Sequence, residues 1–218
     1  MADKDGPKHA RYQDYVIKDA KLVGEFEEMY RDHDDPWMQS ASSALMPDRA
    51  VALSTIKRLV DAGDVRRVLE VGCGLGLFTQ QISETGAEAY GTDISPTAIE
   101  KAKATYSVPD FQVGELMTTS IYNEIKPDLV VMSEISWYVL DQLQEFADFC
   151  RKTRPNSYLM HILTFYPPGE QSYGTEYFTD FPGLKAYMPV NIIEEAEFRG
   201  ESFGTTTRSY FVGQWQPL

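Results

Sequence analysis

Cysteine is scarce in this chain: Cys73 and Cys150 are the two among 218 residues. Two cysteines are too few for a disulfide framework, and neither stands at metal-ligand spacing from any of the three histidines. We therefore expect two reduced thiols and no resident metal ion.

Long apolar stretches are missing too, since no run approaches the roughly 18 residues that a membrane-spanning helix needs. Residues 1–8 are polar and lack the apolar core of a secretory signal. These absences predict a soluble, cytoplasmic protein without a membrane partner. With 43% hydrophobic residues among 218, the chain is long enough to bury one sizeable core.

Basic residues are few: 20 Lys and Arg stand against 33 Asp and Glu, which gives a net charge of −13. Residues 1–67 hold 11 basic and 13 acidic residues, so the rest of the chain carries 9 against 20. A strongly acidic field repels phosphate backbones, which argues against nucleic acid as a partner and favours a small or cationic substrate. Alternatively, the acidity serves solubility alone.

Residues 68–79 consist of an apolar run, three alternating glycines and the beginning of a helical pattern. This order predicts a strand, a tight turn and a helix. Glycine has no Cβ, so a ligand can lie against the turn backbone, although an ordinary strand-to-helix turn has a similar composition. A dinucleotide fingerprint requires glycine at the sixth position, where Leu77 stands, and the pattern therefore disfavours NAD.

Asp93 closes the next predicted strand, roughly 20 residues after the glycines. In a doubly wound sheet, an acidic residue at this place can accept hydrogen bonds from both hydroxyls of a ribose. Ser95 and Pro96 follow as the N-cap and the first residue of a helix. Strands and helices alternate through the rest of the chain, which predicts an α/β fold with a doubly wound sheet.

The acidic residue Glu70 followed by Gly72, Gly74 and Gly76 resembles the first motif of the class I S-adenosylmethionine-dependent methyltransferases. The resemblance implies a Rossmann-like, seven-stranded mixed sheet from about Val65 onward, with S-adenosyl-L-methionine as cofactor and S-adenosyl-L-homocysteine as product. Family members often carry Asp where Glu115 stands. The residues that the resemblance places against the cofactor are Glu70, Gly72, Cys73, Gly74, Asp93, Ile94, Glu115, Leu116 and Ser133.

Methyl transfer is an in-line displacement at a sulfonium carbon, so the protein chiefly aligns the acceptor and removes a proton. Glu134, Tyr138 and His161 are candidates for the base, because their strands end on the ligand side in this topology. Alternatives stay open for each. A histidine in an apolar strand is typical of a hydrogen-bonded core, Glu134 can hold the cofactor or a substrate ammonium, and Tyr138 can be wall packing.

Aromatic faces attract a cationic sulfonium or an amine, which makes Tyr30 and Trp37 candidates for the cofactor site, with Trp137 and Tyr166 nearby. The Asp-Pro-Trp sequence at residues 35–37 resembles the one near the start of the nodulation-type N-methyltransferases, which act on the amine of a sugar. This second resemblance implies a small amine acceptor.

Three regions follow from these patterns: a flexible N-terminus at residues 1–10, a helical cover at residues 11–64 and the methyltransferase core at residues 65–218. Helical spacing predicts one or two helices over residues 11–31 and another that starts at Asp48 as its cap.

Within the core, the aromatic-rich residues 166–188 predict a lid over the strand ends or, alternatively, a homodimer interface. Residues 191–198 are predicted to form a short helix. Residues 201–203 and 208–215 are predicted to supply the final strands.

These features together predict a metal-independent S-adenosylmethionine-dependent methyltransferase whose partner is a small-molecule acceptor with an amine or hydroxyl group, such as an amino sugar or a natural-product intermediate. Two alternatives remain: a regulatory protein that binds the cofactor without transferring methyl groups, and a methyltransferase that acts on protein side chains.

Overall fold

The N-terminal segment forms a turn, a small hairpin and a short helix in the computed structural model, which describes residues 7–9, 11–39 and 46–218. Most of the predicted flexible terminus lies outside the described residues. After a 3-10 turn at Tyr12–Tyr15, β1 (Ile17–Lys18) pairs with β2 (Lys21–Leu22), and α1 spans Phe26–Asp32.

The prediction of helix over residues 11–31 is therefore wrong for its first half. Asp19 and Ala20 take left-handed backbone, with φ of 50° and 56°, and reverse the chain between the two strands. Two consecutive residues with positive φ suit a two-residue hairpin turn, which interrupts the helical spacing.

Seven further strands form one mixed sheet in the order β5-β4-β3-β6-β7-β9-β8. The first five run parallel, and β9 is antiparallel to both of its neighbours. This arrangement confirms the predicted α/β class and the seven-stranded, doubly wound sheet. The strands are β3 (Arg67–Val71), β4 (Glu88–Asp93), β5 (Asp110–Val113), β6 (Leu129–Ser133), β7 (Tyr158–Phe165), β8 (Val190–Phe198) and β9 (Thr207–Trp215).

Helices cover both faces of the sheet, and β3 shows why. Its residue Val68 packs in a buried cluster with Ile56 and Phe78, whereas the next residue, Leu69, packs on the other face in a cluster with Phe146. A strand buried on both faces reads as continuously apolar. β6 does so from Leu129 to Met132, whereas the buried Glu70 interrupts the apolar run of β3. No helix in the described part is long and apolar enough to span a bilayer. The helices are α2 (Pro47–Ala62), α3 (Leu77–Glu84), α4 (Pro96–Thr105), α5 (Thr119–Ile125), α6 (Leu143–Thr153) and α7 (Phe181–Tyr187).

The order of the strands fixes where a ligand can enter. From β3 the chain moves outward to β4 and β5, then returns past β3 to β6, so the direction of winding reverses between β3 and β6. Ligands of doubly wound sheets bind in the crevice at the carboxyl ends of the strands at such a reversal.

The predicted short helix at residues 191–198 is wrong, because these residues belong to β8. Glu194, Ala196 and Glu197 favour a helix by propensity, but the pairing of β8 with β9 along its length overrides that preference. Burial alternates along the whole of β8, but Ile193 stands on its exposed side and Glu194 on its half-buried side, so the alternation is not visible in the residue types. Residues 201–203 form a 3-10 turn instead of a strand.

The aromatic-rich segment at residues 166–188 divides into two parts. Its second half packs into the main core through the buried side chains of Phe178, Phe181 and Leu184, the last two on α7. Tyr166, at the start of the segment, is 54% exposed and borders the ligand-side cavity described below.

Candidate active site

A cavity of about 550 Å³ opens at the carboxyl ends of the parallel strands, next to the glycine turn. Gly72 and Gly74 have positive φ angles of 72° and 54°. A Cβ on Gly72 would stand 2.2 Å from Ile135, and one on Gly74 would stand 2.7 Å from the Tyr30 hydroxyl. Only glycine lets the chain turn this closely here, and the cavity is of a size typical of small-molecule sites.

Asp93 is the carboxylate that the turn holds in place. Its Oδ2 accepts the Gly74 N–H at 2.9 Å and its Oδ1 accepts the Ser95 N–H at 3.0 Å. Burial raises the pKa of Asp93, and the two backbone hydrogen bonds oppose this rise. Each oxygen keeps one further acceptor site, and the side chain lines the cavity, so the carboxylate can receive two hydroxyl groups from a ligand.

An apolar wall stands beside Asp93. Ile94 is 47% exposed although it is a large hydrophobic residue, and it lines the cavity together with Glu115 and Leu116. An exposed isoleucine next to a carboxylate with free acceptor sites is suited to stack on a flat, apolar ring. The structure thus brings the four predicted cofactor residues of this region together: Asp93, Ile94, Glu115 and Leu116.

Arg49, on α2, is a cation in the cavity wall that the sequence did not reveal. Its Nη2 lies 3.4 Å from the hydroxyl of Ser133, and its guanidinium stands 4.9 Å from the centre of the Phe78 ring. Its Nε and Nη1 are buried and have no hydrogen-bond partner within the described residues. A buried guanidinium with spare donors suits a ligand carboxylate.

Glu70 lies behind the cavity instead of lining it. Its carboxylate accepts a hydrogen bond from the hydroxyl of Thr79 on α3 and is attracted electrostatically by Arg49. Burial raises the pKa of Glu70 to about 7, and both neighbours counteract this effect. The predicted influence of Glu70 on the cofactor therefore has to pass through Thr79, Arg49 and the turn.

Glu134 follows β6 and is one of the carboxylates that line the cavity. Its backbone is left-handed, with a φ of 63°, which is uncommon for a residue with a side chain and typical of functional sites. Thr164 holds the carboxylate through its N–H at 3.0 Å and its hydroxyl at 2.6 Å. Burial raises the pKa of Glu134, while Arg208 and Thr164 lower it.

Arg208, on β9, links Glu134 to a second carboxylate. Its Nε and Nη2 form a bidentate pair with Asp48 at 3.0 and 2.8 Å, and its Nη2 lies 3.3 Å from Glu134. Asp48 is completely buried, so it does not serve as the predicted helix cap; the cap position belongs to Met46. One cation between two carboxylates leaves a net negative charge at this end of the cavity.

Aromatic side chains form the opposite wall. Tyr138 packs against Phe26 and Trp37 with ring centres 5.3 and 5.9 Å apart, and all three line the cavity. Burial, and then the charge of Glu134, raise the pKa of Tyr138, so its hydroxyl keeps its proton at neutral pH and is a poor base. Tyr30 lies under the glycine turn, outside the cavity lining.

His161 lies in the core of the sheet, in β7. It is 0% exposed, its Nε2 lies 2.6 Å from the Ser136 hydroxyl, and its ring stacks on Phe211. It is not among the residues that line the cavity. The hydrogen-bonded core histidine, which was the alternative interpretation of the sequence, describes its environment.

Burial lowers the pKa of His161 to about 3, which predicts a dependence of stability on pH. In the unfolded chain the imidazole titrates near pH 6.5, so the unfolded state binds the extra proton between about pH 6.5 and 3. The neutral, buried imidazole therefore costs the fold nothing above pH 6.5, and the free energy of unfolding decreases as the pH falls below this value. Glu70, whose pKa is raised to about 7, makes the free energy of unfolding increase as the pH falls from 7 to 4.5. The pH dependence of the wild-type stability must therefore be compared with that of a variant without His161.

We expect the free energy of unfolding of the wild-type protein to fall, between pH 6 and 4, more steeply than that of His161→Gln by about 1.4 kcal/mol per pH unit. Urea denaturation at several pH values measures both slopes. Equal slopes would show that His161 is not held neutral by the fold.

Most of the site residues predicted from the sequence line the cavity, but several lie elsewhere. The predicted residues that line the cavity are Trp37, Gly72, Asp93, Ile94, Glu115, Leu116, Ser133, Glu134 and Tyr138; those that do not are Tyr30, Glu70, Cys73, Gly74 and His161. Among the described residues no group of three or more His, Cys, Asp or Glu side chains could hold a metal ion. Lining residues that the sequence analysis missed include Gln39, Met46, Arg49, Gln142, Thr164 and Arg208.

Gln39 is one missed residue with a direct contact to the glycine turn. Its Oε1 accepts the Leu75 N–H at 2.8 Å, so the N-terminal segment touches the loop on which a ligand would rest. The resemblance at residues 35–37 was the one signal that pointed to this region.

Comparisons with known proteins agree with the fold and the turn. Residues 69–161 match a family model described as a methyltransferase domain. Nodulation protein S of Bradyrhizobium diazoefficiens is 27% identical over 117 residues, which cover 52% of this chain and 54% of that protein. Peramine synthetase ppzA of Metarhizium majus is 30% identical over 101 residues, which cover 40% of this chain and 4% of that protein. The chain thus spans about half the length of the first curated relative and a small part of the second.

The solved structure of the N-methyltransferase NodS from Bradyrhizobium japonicum WM9, in complex with S-adenosyl-L-homocysteine, superposes with a TM-score of 0.60 at 18% identity. The superposition covers 84% of this chain and 92% of that one, which shows a shared fold. Together with the glycine turn, the shared fold agrees with the predicted class I arrangement, and residues 69–161 of the chain match a methyltransferase domain.

Proposed function

We propose that this chain transfers a methyl group from S-adenosyl-L-methionine to an amine of a small molecule, such as an amino sugar or a natural-product intermediate. The observation that carries the proposal is Glu134, a carboxylate held in left-handed backbone at the cavity beside the residues that fit the cofactor. An acceptor that arrives as an ammonium ion has to lose a proton before its nitrogen lone pair can attack the methyl group, and a carboxylate within reach can take that proton.

The residues of the cavity fit the cofactor. Asp93 has acceptor sites for two ribose hydroxyls, and Ile94 with Leu116 offers apolar surface for adenine. The spare donors of Arg49 suit the carboxylate at the methionine end. When bound, S-adenosyl-L-methionine supplies an electrophilic methyl group on a positively charged sulfur.

Charge and aromatic surface favour an amine over a hydroxyl acceptor. The hydrogen bonds from Thr164 and the nearby Arg208 favour the anionic form of Glu134, which attracts an ammonium group. Trp137, Tyr138 and Tyr166 also line the cavity, and their π faces attract cations. The similarity to the N-methyltransferase NodS points the same way.

In this arrangement Glu134 receives the proton of the acceptor nitrogen, and Thr164 and Arg208 hold the carboxylate in one orientation. Burial raises the pKa of Glu134, which brings a carboxylate closer to the range where a base is effective at neutral pH. Tyr138 and Trp37 exclude water and position the acceptor.

An assay with methyl-labelled S-adenosyl-L-methionine tests the proposal. The purified protein would be incubated with a panel of small amines and amino sugars and with the matching alcohols, and the products would be examined by mass spectrometry. We expect methylated amines. Methylation of alcohols alone, or of a protein substrate alone, would refute the proposed acceptor; cofactor binding without transfer to any substrate would favour a regulatory protein.

Asp93→Ala is expected to weaken binding of S-adenosyl-L-homocysteine at least tenfold, which corresponds to about 1.4 kcal/mol, because hydrogen bonds to a charged acceptor are lost. Isothermal titration calorimetry gives the dissociation constants. Asp93→Asn keeps an oxygen that can accept from the turn and should lose less. Asp110→Ala, an exposed aspartate on β5, is the matched control. An unchanged affinity of Asp93→Ala would reject the ribose role.

A further inference from the structure

A second hollow lies at the opposite end of the parallel strands, where β3, β6 and β7 begin. It has a volume of about 310 Å³ and is polar, and we call it the basic hollow. Three cations line it, Arg67, Lys126 and Arg154, together with two acids, Asp64 and Asp128. The hollow thus carries an excess of positive charge on a chain whose net charge is −13.

The two arginines of the basic hollow are unusual in this protein. Within the described residues, seven of the ten arginines form an ion pair with a carboxylate, and the exceptions are Arg49, Arg67 and Arg154. Arg49 faces the proposed cofactor. Arg67 and Arg154 lie together, and each has a buried Nε without an acceptor in the described part of the chain.

The neighbouring acid does not neutralise these arginines. Asp128 Oδ2 accepts the backbone N–H groups of Arg66 and Arg67 at 3.0 and 2.8 Å, and no ion pair joins Asp128 to either guanidinium within the described residues. Burial lowers the pKa of Arg154, and the positive charge of Arg67 acts in the same direction. The charge of Asp128 opposes this decrease, but no ion pair joins it to Arg67 or Arg154 within the described residues. Two guanidinium groups close together without a paired carboxylate suit an anion.

The backbone around the basic hollow is strained as well. Lys126 and Asn156 both line it, and both adopt left-handed backbone, with φ of 53° and 70°. Strained residues of this kind concentrate at binding sites, where the surrounding structure compensates for their conformational cost.

We infer that the basic hollow binds a small ligand through a phosphate group. The Arg67 guanidinium supplies planar pairs of N–H donors that match phosphate oxygens. Arg154 donates from Nη2 to the Tyr122 carbonyl and keeps its Nε without an acceptor in the described residues, and the Lys126 ammonium adds a further positive charge. The volume of about 310 Å³ is at the lower end of small-molecule sites, which suits inorganic phosphate or a sugar phosphate.

Thermal unfolding in sodium phosphate, compared with sodium chloride at equal ionic strength, tests this inference. At a phosphate concentration ten times the dissociation constant, we expect the Tm to rise by about 3 °C or more. Titration calorimetry with inorganic phosphate and with a sugar phosphate separates the two sources: tighter binding of the sugar phosphate identifies an organic ligand, and equal affinity identifies free phosphate.

Arg67→Gln and Arg154→Gln should each abolish the phosphate effect. Arg66→Gln is the matched control, because the neighbouring guanidinium pairs with Glu88 outside the basic hollow and should leave the effect intact. If one variant fails to fold, the other decides. No stabilisation of the wild-type protein by phosphate, or equal stabilisation of all variants, would overturn the inference.

Discussion

Glu134→Gln is expected to lower kcat by about 100-fold or more, with a much smaller change in the affinity for S-adenosyl-L-homocysteine. Glutamine keeps the size of the side chain and one oxygen that can accept from Thr164, but it cannot take up the proton of the acceptor nitrogen. Steady-state kinetics with the amine found in the transfer assay measures kcat and KM, and calorimetry measures the cofactor affinity.

The pH dependence distinguishes a base from a residue that only holds the site together. Because Glu134 has to be ionised, kcat/KM of the wild-type protein should fall as the pH drops through the raised pKa of this carboxyl group. The acid limb should be missing in Glu134→Gln. A variant with wild-type kcat, or with low activity but an unchanged acid limb, would contradict the assignment.

Glu100→Gln serves as the matched control for this experiment. Glu100 is exposed on α4 and does not line the cavity, so the same chemical change should leave kcat, KM and the pH profile unaltered.

The cofactor half of the site could be predicted because short stretches of sequence build it. Gly72 and Asp93 lie at the ends of adjacent parallel strands, and Val71 is paired with Thr92, so the β3 and β4 ends meet by sheet geometry alone. The residue types also carry the chemistry directly, since glycine permits the close turn and aspartate accepts two hydroxyls.

The charge network around the acceptor could not be predicted in this way. Asp48 and Arg208 are 160 residues apart, and they meet because α2 packs on β9. In the sequence, Asp48 after Pro47 resembles an ordinary helix start. Arg49 gave no signal either, since a single arginine on an amphipathic helix is typical of a solvent-exposed face.

Local pattern predicted the last strand, β9, but failed at β8 before it. The Glu-rich β8 depends on its ladder with β9, and its Glu194 is held by Thr55 and Arg58 of α2. These partners are distant in sequence, so propensity alone indicated a helix. His161 was predicted to be either a base or a core residue, and the choice depended on Ser136 and Phe211, which no sequence motif marks.

Asp48→Ala is expected to destabilise the protein by about 3–5 kcal/mol, because it leaves the largely buried Arg208 without its bidentate partner. For a chain of this size, such a loss lowers the Tm by roughly 10 °C. Denaturation in urea gives the free energy of unfolding. Asp61→Ala is the matched control on the same helix: its i,i+4 pair with Lys57 is exposed and should contribute little.

The double variant Asp48→Leu with Arg208→Met separates the strength of the ion pair from the penalty of an uncompensated charge. Removal of both charged groups eliminates the buried pair and leaves Glu134, which is partly exposed and still accepts two hydrogen bonds from Thr164. The double variant should therefore recover much of the stability that Asp48→Ala loses. Its activity should nevertheless stay low, because Glu134 no longer has Arg208 beside it. A double variant no more stable than Asp48→Ala would mean that the pair stabilises the fold by itself, and full activity in it would show that Arg208 does not position Glu134.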